Sequence, residues 1–181
     1  MFSLSNAQVK LDNVNPRAEL HGEDHALAVD IKLSTAISND RLAEFDANLK
    51  SALYWKGNET QGELIAEPGH LPTLRFPEMG PIRWNKDLAG YTLTVHVGFS
   101  DESAIKIADC AVDKFLFDAQ EGGSVIVSFR IQAHPDAATL GRLCELIQQD
   151  IEMTLTEPQV GSESDEKDEQ GQGKLVVEEV E

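Results

Sequence analysis

Apolar and polar side chains alternate with a period of two residues in three segments of this chain. The segments are 27–33 (LAVDIKL), 91–97 (YTLTVHV) and 125–131 (VIVSFRI). Successive side chains of a β-strand point to opposite faces, so each segment predicts a strand with one face in the core. Gly122-Gly123 predicts a hairpin turn before the last of them. Weaker patterns predict further strands at 9–14, 105–112, 114–117 and 151–156.

Two other segments have the spacing of amphipathic helices. Ser38-Asn39-Asp40 is typical of a helix N-terminus, and so is Pro135-Asp136. The apolar positions behind these caps are Leu42, Phe45 and Leu49 in the first helix and Leu140, Leu143, Cys144 and Ile147 in the second. Together, these elements predict a β-rich α+β fold, with an antiparallel sheet or sandwich that carries two helices.

The two halves of the chain resemble each other in pattern. A shift of 98 residues places 27–33 on 125–131 and the apolar positions of the first helix on those of the second. With a two-residue adjustment, Val9 and Leu11 fall on Ile105 and Ile107. This repeat favours a duplicated strand–strand–helix unit related by a pseudo-two-fold axis, with 71–97 as the bridge. The alternative is a chance match, because few residues are identical and any strand followed by a capped helix would align.

The composition changes from Pro158 onward. The sequence there reads PQVGSESDEKDEQGQGKLVVEEVE, with no apolar residue between Val160 and Leu175. Such a segment cannot bury enough apolar surface to offset the entropy of ordering it. We therefore expect one folded domain at 1–157 and a disordered acidic tail at 158–181. The terminal LVVEEVE could add to a partner's sheet edge or dock in a basic, apolar groove, and the alternative is a solubilising tail.

The length of 181 residues and the hydrophobic content of 41% fit one domain with a tail. The N-terminus lacks a basic stretch followed by an apolar run, and no window holds the roughly 18 apolar residues that cross a bilayer. Cys110 and Cys144 lie in apolar patterns, which is typical of buried free thiols rather than of a disulfide or zinc site. We expect a cytoplasmic protein without a membrane partner.

The chain is strongly acidic, with a formal net charge of −17. Residues 1–157 hold 13 basic and 24 acidic side chains, a net charge of −11, so the tail does not account for the acidity. A field of this sign disfavours diffuse attraction to duplex DNA. It still allows a local basic groove, because net charge does not fix where the charges lie.

No motif for catalysis or for a cofactor is present in the sequence. It lacks a G-x-S-x-G turn and both glycine-rich phosphate loops, and a core position is favoured for Cys144. His21-Gly22-Glu23-Asp24-His25 has two histidines four residues apart. Its central glycine and the strand that follows favour a solvent-exposed turn over a metal site. We therefore expect a protein that is not an enzyme, with no catalytic residue, metal site or cofactor.

One segment, 71–86 (LPTLRFPEMGPIRWNK), departs from the acidic background. It places cations among aromatic rings, and the candidate nucleic-acid-binding residues are Arg75, Phe76, Arg83, Trp84 and Lys86. Single-stranded nucleic acid is bound by such mixtures, since cations contact phosphates and flat rings stack on unpaired bases. The alternative is a proline-rich connector that packs Phe76 and Trp84 into the domain and leaves the arginines at its rim.

The segments 109–136 (DCAVDKFLFDAQEGGSVIVSFRIQAHPD), 74–84 (LRFPEMGPIRW) and 90–98 (GYTLTVHVG) carry a resemblance. Across 1–157 the chain resembles uncharacterised proteins encoded in the early regions of tailed phages and prophages. The shared motifs are structural, so the resemblance implies no active-site residue. It implies a setting in phage DNA replication, recombination or interference with host defence.

The layout of a β-rich domain with an acidic, apolar-ended tail is similar to that of single-stranded-DNA-binding proteins of bacteria and phages. In those proteins the tail recruits replication and repair enzymes and competes with DNA for the basic groove. This chain departs from that pattern in two ways. It ends on Val180-Glu181 without an aromatic residue, and its domain is acidic.

These observations lead to two main hypotheses. In the first, the chain is a non-enzymatic, phage-type protein of DNA metabolism that binds single-stranded nucleic acid, with an acidic tail that modulates access. In the second, its acidic surface imitates nucleic acid or caps a basic, nucleic-acid-binding host protein, as an anti-defence inhibitor would. A structural component of a virion, forming stable homo-oligomers, is a further alternative.

Overall fold

The computed structural model describes residues 2–21, 24–57, 69–98 and 103–158. From 159 onward the predicted acidic tail, with its predicted disorder, lies outside the described residues. The strands are β1 (Leu4–His21), β2 (Asp24–Ser38), β3 (Tyr54–Trp55), β4 (Thr73–Leu74), β5 (Ile82–Trp84), β6 (Leu88–His96), β7 (Ile105–Gln120), β8 (Ser124–Ala133) and β9 (Asp150–Thr156). The helical segments are a 3₁₀ helix (Asn39–Glu44), α1 (Leu49–Leu53) and α2 (Ala137–Glu145).

Six of the described strands form a closed antiparallel barrel. Their order is β1, β2, β8, β7, β6, β9 and back to β1. β5 is an extra strand that pairs with β7 beyond the stretch where β6 pairs, and β3 pairs with β4 apart from the barrel. The β-rich α+β class roughly fits and the sheet is antiparallel, as predicted, but it closes into a barrel and does not form the sandwich that was the predicted alternative. An alternating strand needs one buried face, which a barrel and a sandwich supply equally, so the pattern could not distinguish them.

The core lies inside the barrel and contains a cluster of phenylalanines from distant parts of the chain. The ring of Phe45 lies 4.7 Å from that of Phe117 and 5.0 Å from that of Phe115, centroid to centroid. The predicted inward face of β8 is buried throughout, at Val125, Val127, Phe129 and Ile131. Edge-to-face ring contacts of this kind add to the stabilisation that burial provides.

The predicted inward face of β2 is buried except at Leu27, whose side chain is 36% exposed. β8 ends at Ala133, which pairs with Val29, and Pro135 follows. Because proline cannot donate to a ladder, β8 stops there and the end of the β1–β2 hairpin extends past it. The alternation therefore predicted the inward face of β2 correctly, but it could not show that Leu27 lies beyond the end of the barrel.

The predicted helix caps are confirmed, whereas the first helix is divided. Ser38 Oγ accepts a hydrogen bond from the Asp40 amide at 3.2 Å, and Asp136 Oδ1 accepts one from the Thr139 amide at 2.6 Å. Behind Ser38 the chain forms the 3₁₀ helix and then α1. Asp46 accepts a hydrogen bond from the Asn48 amide between them, at 2.8 Å, which favours a turn there.

One of the two cysteines that were predicted to be buried is exposed in the structure. Cys110 on β7 is buried, as predicted, but Cys144 on α2 is exposed. Within α2, Leu143 is the residue that is fully buried, so the surface of the barrel covers a narrower stripe of this helix than the sequence pattern indicates. Gly122 and Gly123 have φ of 86° and 85° and form the predicted turn between β7 and β8, which requires the left-handed region.

The pairing registers repeat in the two halves of the barrel. The β1–β2 pairs Leu11↔Leu33, Asn15↔Asp30 and Glu19↔Ala26 correspond to the β7–β8 pairs Val112↔Ile131, Leu116↔Ser128 and Gln120↔Ser124. The offset is 98 residues in the second strand of each pair, as predicted, and 101 in the first. The predicted match of Val9 and Leu11 with Ile105 and Ile107 is therefore wrong, because Leu11 corresponds to Val112.

Each half also contains a third strand, which the predicted strand–strand–helix unit omitted. β6 follows the helices of the first half and pairs with β7, while β9 follows α2 and pairs with β1. The predicted bridge, 71–97, thus includes a strand of the repeat. β2 and β8 pair Lys32 with Arg130, which are themselves 98 residues apart, so a pseudo-two-fold axis passes between these two residues.

Candidate functional site

A groove of about 880 Å³ lies on the outer face of the barrel, across the pseudo-two-fold axis. We call it the outer groove. Its lining from the first half is Asp12, Asn13, Asn15, Asp30 and Lys32. Its lining from the second half includes the equivalents of these positions, in the same order, Asp113, Lys114, Leu116, Ser128 and Arg130. Arg83, Asn85 and Asp87 line it from β5 and the loop that follows.

Two bulges shape the outer groove. The β1–β2 register shifts between Leu11 and Asn13, and the β7–β8 register shifts between Asp113 and Leu116. A bulge bends its strand and re-aims a side chain, and these two lie within two residues of equivalent places on either side of the axis. Within the second bulge, Lys114 has a φ of 53°, which a residue with a side chain rarely adopts. The backbone thus adopts a strained conformation where Lys114 lines the groove.

Arg130, near the axis, is neutralised by two carboxylates. Its Nε lies 2.7 Å from Asp113 Oδ1, its Nη2 lies 2.5 Å from Asp113 Oδ2, and its Nη1 lies 2.9 Å from Asp30 Oδ2. These hydrogen bonds raise the pKa of Arg130 above its usual range, and those with Asp113 have the largest effect. A bidentate pair of this kind fixes the guanidinium in place. Arg130 therefore forms part of the groove floor and does not offer a free charge.

The other three cations of the outer groove have no such partners. The side chains of Lys32, Lys114 and Arg83 form no hydrogen bond or ion pair with any residue that the structure describes. They come from β2, β7 and β5, so the barrel brings together charges that are far apart in the sequence. The lining as a whole holds four basic and four acidic side chains, so it is neutral on a chain with a net charge of −17. It can attract an anionic group through three converging positive charges.

The structure does not bring the five predicted nucleic-acid-binding residues onto one face. Arg83 alone among them lines the outer groove. Trp84 and Lys86 lie on the opposite side of β5, where the Trp84 ring is 6.2 Å from that of Phe117 and Lys86 Nζ is 5.6 Å from the ring of Phe45. Alternation along β5 separates Arg83 from its neighbours. Whether any of these residues contacts nucleic acid stays a prediction.

Arg75 and Phe76 lie at a third place, near the β3–β4 pair. Arg75 Nε donates to the carbonyl oxygens of Ser51 and Tyr54, at 2.7 and 3.2 Å. Phe76 is 54% exposed beside Met79, which is 48% exposed, at the mouth of a small apolar depression. The alternative prediction, that the aromatic rings of this segment pack into the domain, therefore holds for Trp84 and not for Phe76.

Lys32 and Lys114 were missed because both lie in strands that the sequence identified by their buried residues. Each side chain points away from the core, and the alternation of apolar and polar residues predicts no role for such positions. The shift of 98 residues that places Lys32 on Arg130 was the available signal. It indicates that both residues lie near one axis, but their relation to Arg83 depends on the pairing of β5 with β7.

The histidine pair of the predicted turn lies at the end of the β1–β2 hairpin. His21 pairs with Asp24 across the hairpin, while Gly22 and Glu23 lie outside the described residues, as do the side chains of His21 and Asp24. Among the side chains that are described, no three His, Cys, Asp or Glu residues are grouped so as to hold a metal ion. No described helix is both long enough and apolar enough to cross a membrane.

Comparisons with known proteins add no relative: no family model, no curated protein and no solved structure matches this chain.

Proposed function

We propose that this chain is a non-enzymatic, phage-type protein of DNA metabolism that binds single-stranded nucleic acid in the outer groove. One observation carries the proposal. Lys32, Lys114 and Arg83 line one groove, and no described residue neutralises them. A phosphodiester strand supplies closely spaced negative charges, which suit several cations converging on one groove.

The size and lining of the outer groove favour a single strand over a duplex. A volume of about 880 Å³ accommodates a few nucleotides but cannot enclose a double helix. Phe129 supplies the aromatic ring of the lining and is buried. Stacking on bases therefore contributes less here than in domains with exposed rings, and phosphate contacts dominate. We expect binding that depends strongly on salt.

The position of Pro158 supports a role for the acidic tail in modulating this binding. Pro158, the last described residue, lies next to Gly90, close enough that a Cβ on Gly90 would be 3.2 Å from the Pro158 ring. Asp87, three residues before Gly90, lines the outer groove. The segment 158–181, with 2 basic and 8 acidic residues, therefore begins near the groove and can compete with phosphates for its cations.

The proposal is tested by fluorescence anisotropy with a labelled single-stranded oligonucleotide across a range of salt concentrations. The double variant K32A/R83A removes two groove cations. We expect at least a tenfold loss of affinity at low salt, and a slope of log K against log salt that falls by about 1.4, since each single-strand contact contributes about 0.7. Removal of 158–181 should strengthen binding.

The matched control is K10A/K106A. Both lysines are exposed, lie outside the lining of the outer groove and have no described partner, so this variant changes the net charge equally. It should bind nearly as the unaltered protein does. The proposal fails if neither the full-length nor the tail-deleted protein binds at low salt, or if the two double variants lose affinity equally.

A second candidate function is an interaction protein that caps a basic, nucleic-acid-binding host protein. The observation that favours it is the extended end of the β1–β2 hairpin. Leu20 is 68% exposed and Leu27 is 36% exposed, and both lie on the hairpin face that continues from Val29. An exposed apolar face on an acidic protein is typical of a surface that binds a basic partner.

This candidate makes a different prediction for the same protein. The Leu20→Glu variant should lose capture of a basic DNA-binding protein from a bacterial extract, while K32A/R83A should keep it. Capture of no basic partner by the unaltered protein, or equal capture by both variants, would exclude this function.

A further inference from the structure

The outer groove also contains carboxylates that its cations do not neutralise. Asp12 and Asp87 both line the groove, one from β1 and one from just before β6. Neither side chain forms a hydrogen bond or ion pair within the described part of the chain. The equivalent of Asp12 in the second half, Asp113, by contrast binds Arg130 through both carboxylate oxygens.

A third carboxylate of the lining, Asp30, lies between two arginines. Asp30 Oδ2 receives a hydrogen bond from Arg130, but Asp30 Oδ1 is buried and accepts no hydrogen bond from any described group. Arg17 Nη2 lies 3.4 Å from it, without hydrogen-bond geometry. Asp30 is therefore part of the groove wall, and its Oδ1 atom is not accessible to a ligand.

Carboxylates in a groove that binds phosphates need a physical reason, because they repel phosphates. They become favourable only if the ligand brings hydrogen-bond donors to them. In single-stranded DNA the donors are the N–H groups of the bases, since the sugar and phosphate offer only acceptors within the strand. Building on the proposed function, we infer that the outer groove reads base edges, with its cations on phosphates and with Asp12 and Asp87 accepting from base amino groups.

The bases differ in the donors that they present. Cytosine has the N4 amino group, adenine the N6 amino group, and guanine adjacent N1–H and N2 amino donors that match the two oxygens of one carboxylate. Thymine has no amino group, and its single N3–H lies between two carbonyl oxygens that repel a carboxylate. The groove therefore prefers strands that carry amino-bearing bases over strands of thymine.

The test compares labelled oligo-dC and oligo-dT of equal length at pH 7.5, by anisotropy competition with the tail-deleted protein. Both are pyrimidine strands with the same phosphate charge, and DNA excludes any effect of a 2′-hydroxyl. We expect oligo-dC to bind at least about fivefold more tightly than oligo-dT. The D12A/D87A variant should lose this preference and bind oligo-dT more tightly, because two charges that repel phosphate are gone.

D150A/E152A is the matched control. These exposed acids lie on β9, outside the groove lining, and their removal changes the net charge equally. The control should keep the preference for oligo-dC. Equal binding of the two strands by the unaltered protein, or the same preference in D12A/D87A, overturns this inference while the proposed function stands. Binding of neither strand at low salt overturns both.

Discussion

The two hairpins of the barrel share one register, yet one is held at its end and the other is open. At the end of the β7–β8 hairpin, Tyr54 Oη lies 2.7 Å from the Ser124 carbonyl oxygen and 3.1 Å from that of Gln120. The corresponding end of β1–β2 extends past the barrel. Val125 is 0% exposed, while its equivalent, Leu27, is 36% exposed. The duplicated frame is thus the same, and the segments packed around it decide which apolar residues are covered.

The edges of the two halves differ in the same way. β5 pairs with β7 at Phe115, Leu116 and Phe117. The equivalent edge of β1 contains Pro16, which corresponds to Phe117. Proline cannot donate a hydrogen bond to an added strand, so it protects an edge that β5 covers in the other half. Arg83 reaches the outer groove only because β5 is present on one side, and the groove is asymmetric for that reason.

The largest difference in stability between equivalent substitutions in the two halves is expected in the core. Phe115 is fully buried among Phe2, Phe45 and Phe129, whereas its equivalent position holds the smaller Val14. Phe115→Ala should lower the free energy of unfolding by about 3–5 kcal/mol. Val14→Ala should lower it by about 1–2 kcal/mol, since it removes two methyl groups. Urea denaturation measures both, and equal losses would contradict a larger contribution of Phe115 than of Val14 to the core.

A smaller effect is expected from the paired aspartates of the outer groove. Asp113→Asn removes the bidentate partner of Arg130, and both side chains are largely shielded from water, at 17% and 16% exposure. We expect a loss of about 1–3 kcal/mol. Asp12→Asn at the equivalent position should change stability by less than about 0.5 kcal/mol, because no described group pairs with it. If both variants lost stability equally, Asp12 would have a partner that the structure does not show.

The smallest effect on stability is expected at Cys110, whose equivalent in the first half is Val9. Burial raises the pKa of the Cys110 thiol to about 11 from its ordinary value of 9.0. The thiol stays protonated at pH 8, so iodoacetamide should add one group to the native protein, at Cys144, and two after unfolding in urea. Mass spectrometry counts the groups, with Cys144→Ala as the control that should gain none in the native state.

The same raised pKa gives a pH dependence of definite sign. Above about pH 9 the unfolded thiol loses its proton while the folded thiol keeps it, so the unfolded state binds fewer protons. Stability should therefore decline as the pH rises from about 9 to about 11. Cys110→Ala should flatten this decline, and an unchanged slope in the variant would show that another group is responsible.

The sequence predicted the strands where one face alone is buried, as in 125–131, and the two caps at Ser38 and Asp136. Prediction from the sequence failed where contacts between residues far apart in the chain decide the structure. The separate strands predicted at 105–112 and 114–117 are one strand, because pairing with β8 continues across the bulge at Lys114. Local alternation is interrupted at a bulge, and only the partner strand shows that the ladder resumes.

The candidate site was predictable only in part for the same reason. Arg83 could be identified locally, since it belongs to the one basic and aromatic segment. Its companions Lys32 and Lys114 are outward residues of ordinary strands, and nothing near them in the sequence marks them. Trp84 and Lys86 were grouped with Arg83 because they are adjacent in the chain, but adjacent residues of a strand face opposite ways.

Closure of the barrel through β1 and β9 has a consequence for how the chain reaches its folded state. Leu4 pairs with Leu155, so the first strand made has no partner on one side until almost the whole domain has been synthesised. Contacts of such large sequence separation raise the contact order, and folding rates fall as contact order rises. We expect refolding on the slower end of the millisecond-to-second range, and a nascent chain whose first hairpin depends on chaperones or on its own proline-protected edge to avoid aggregation.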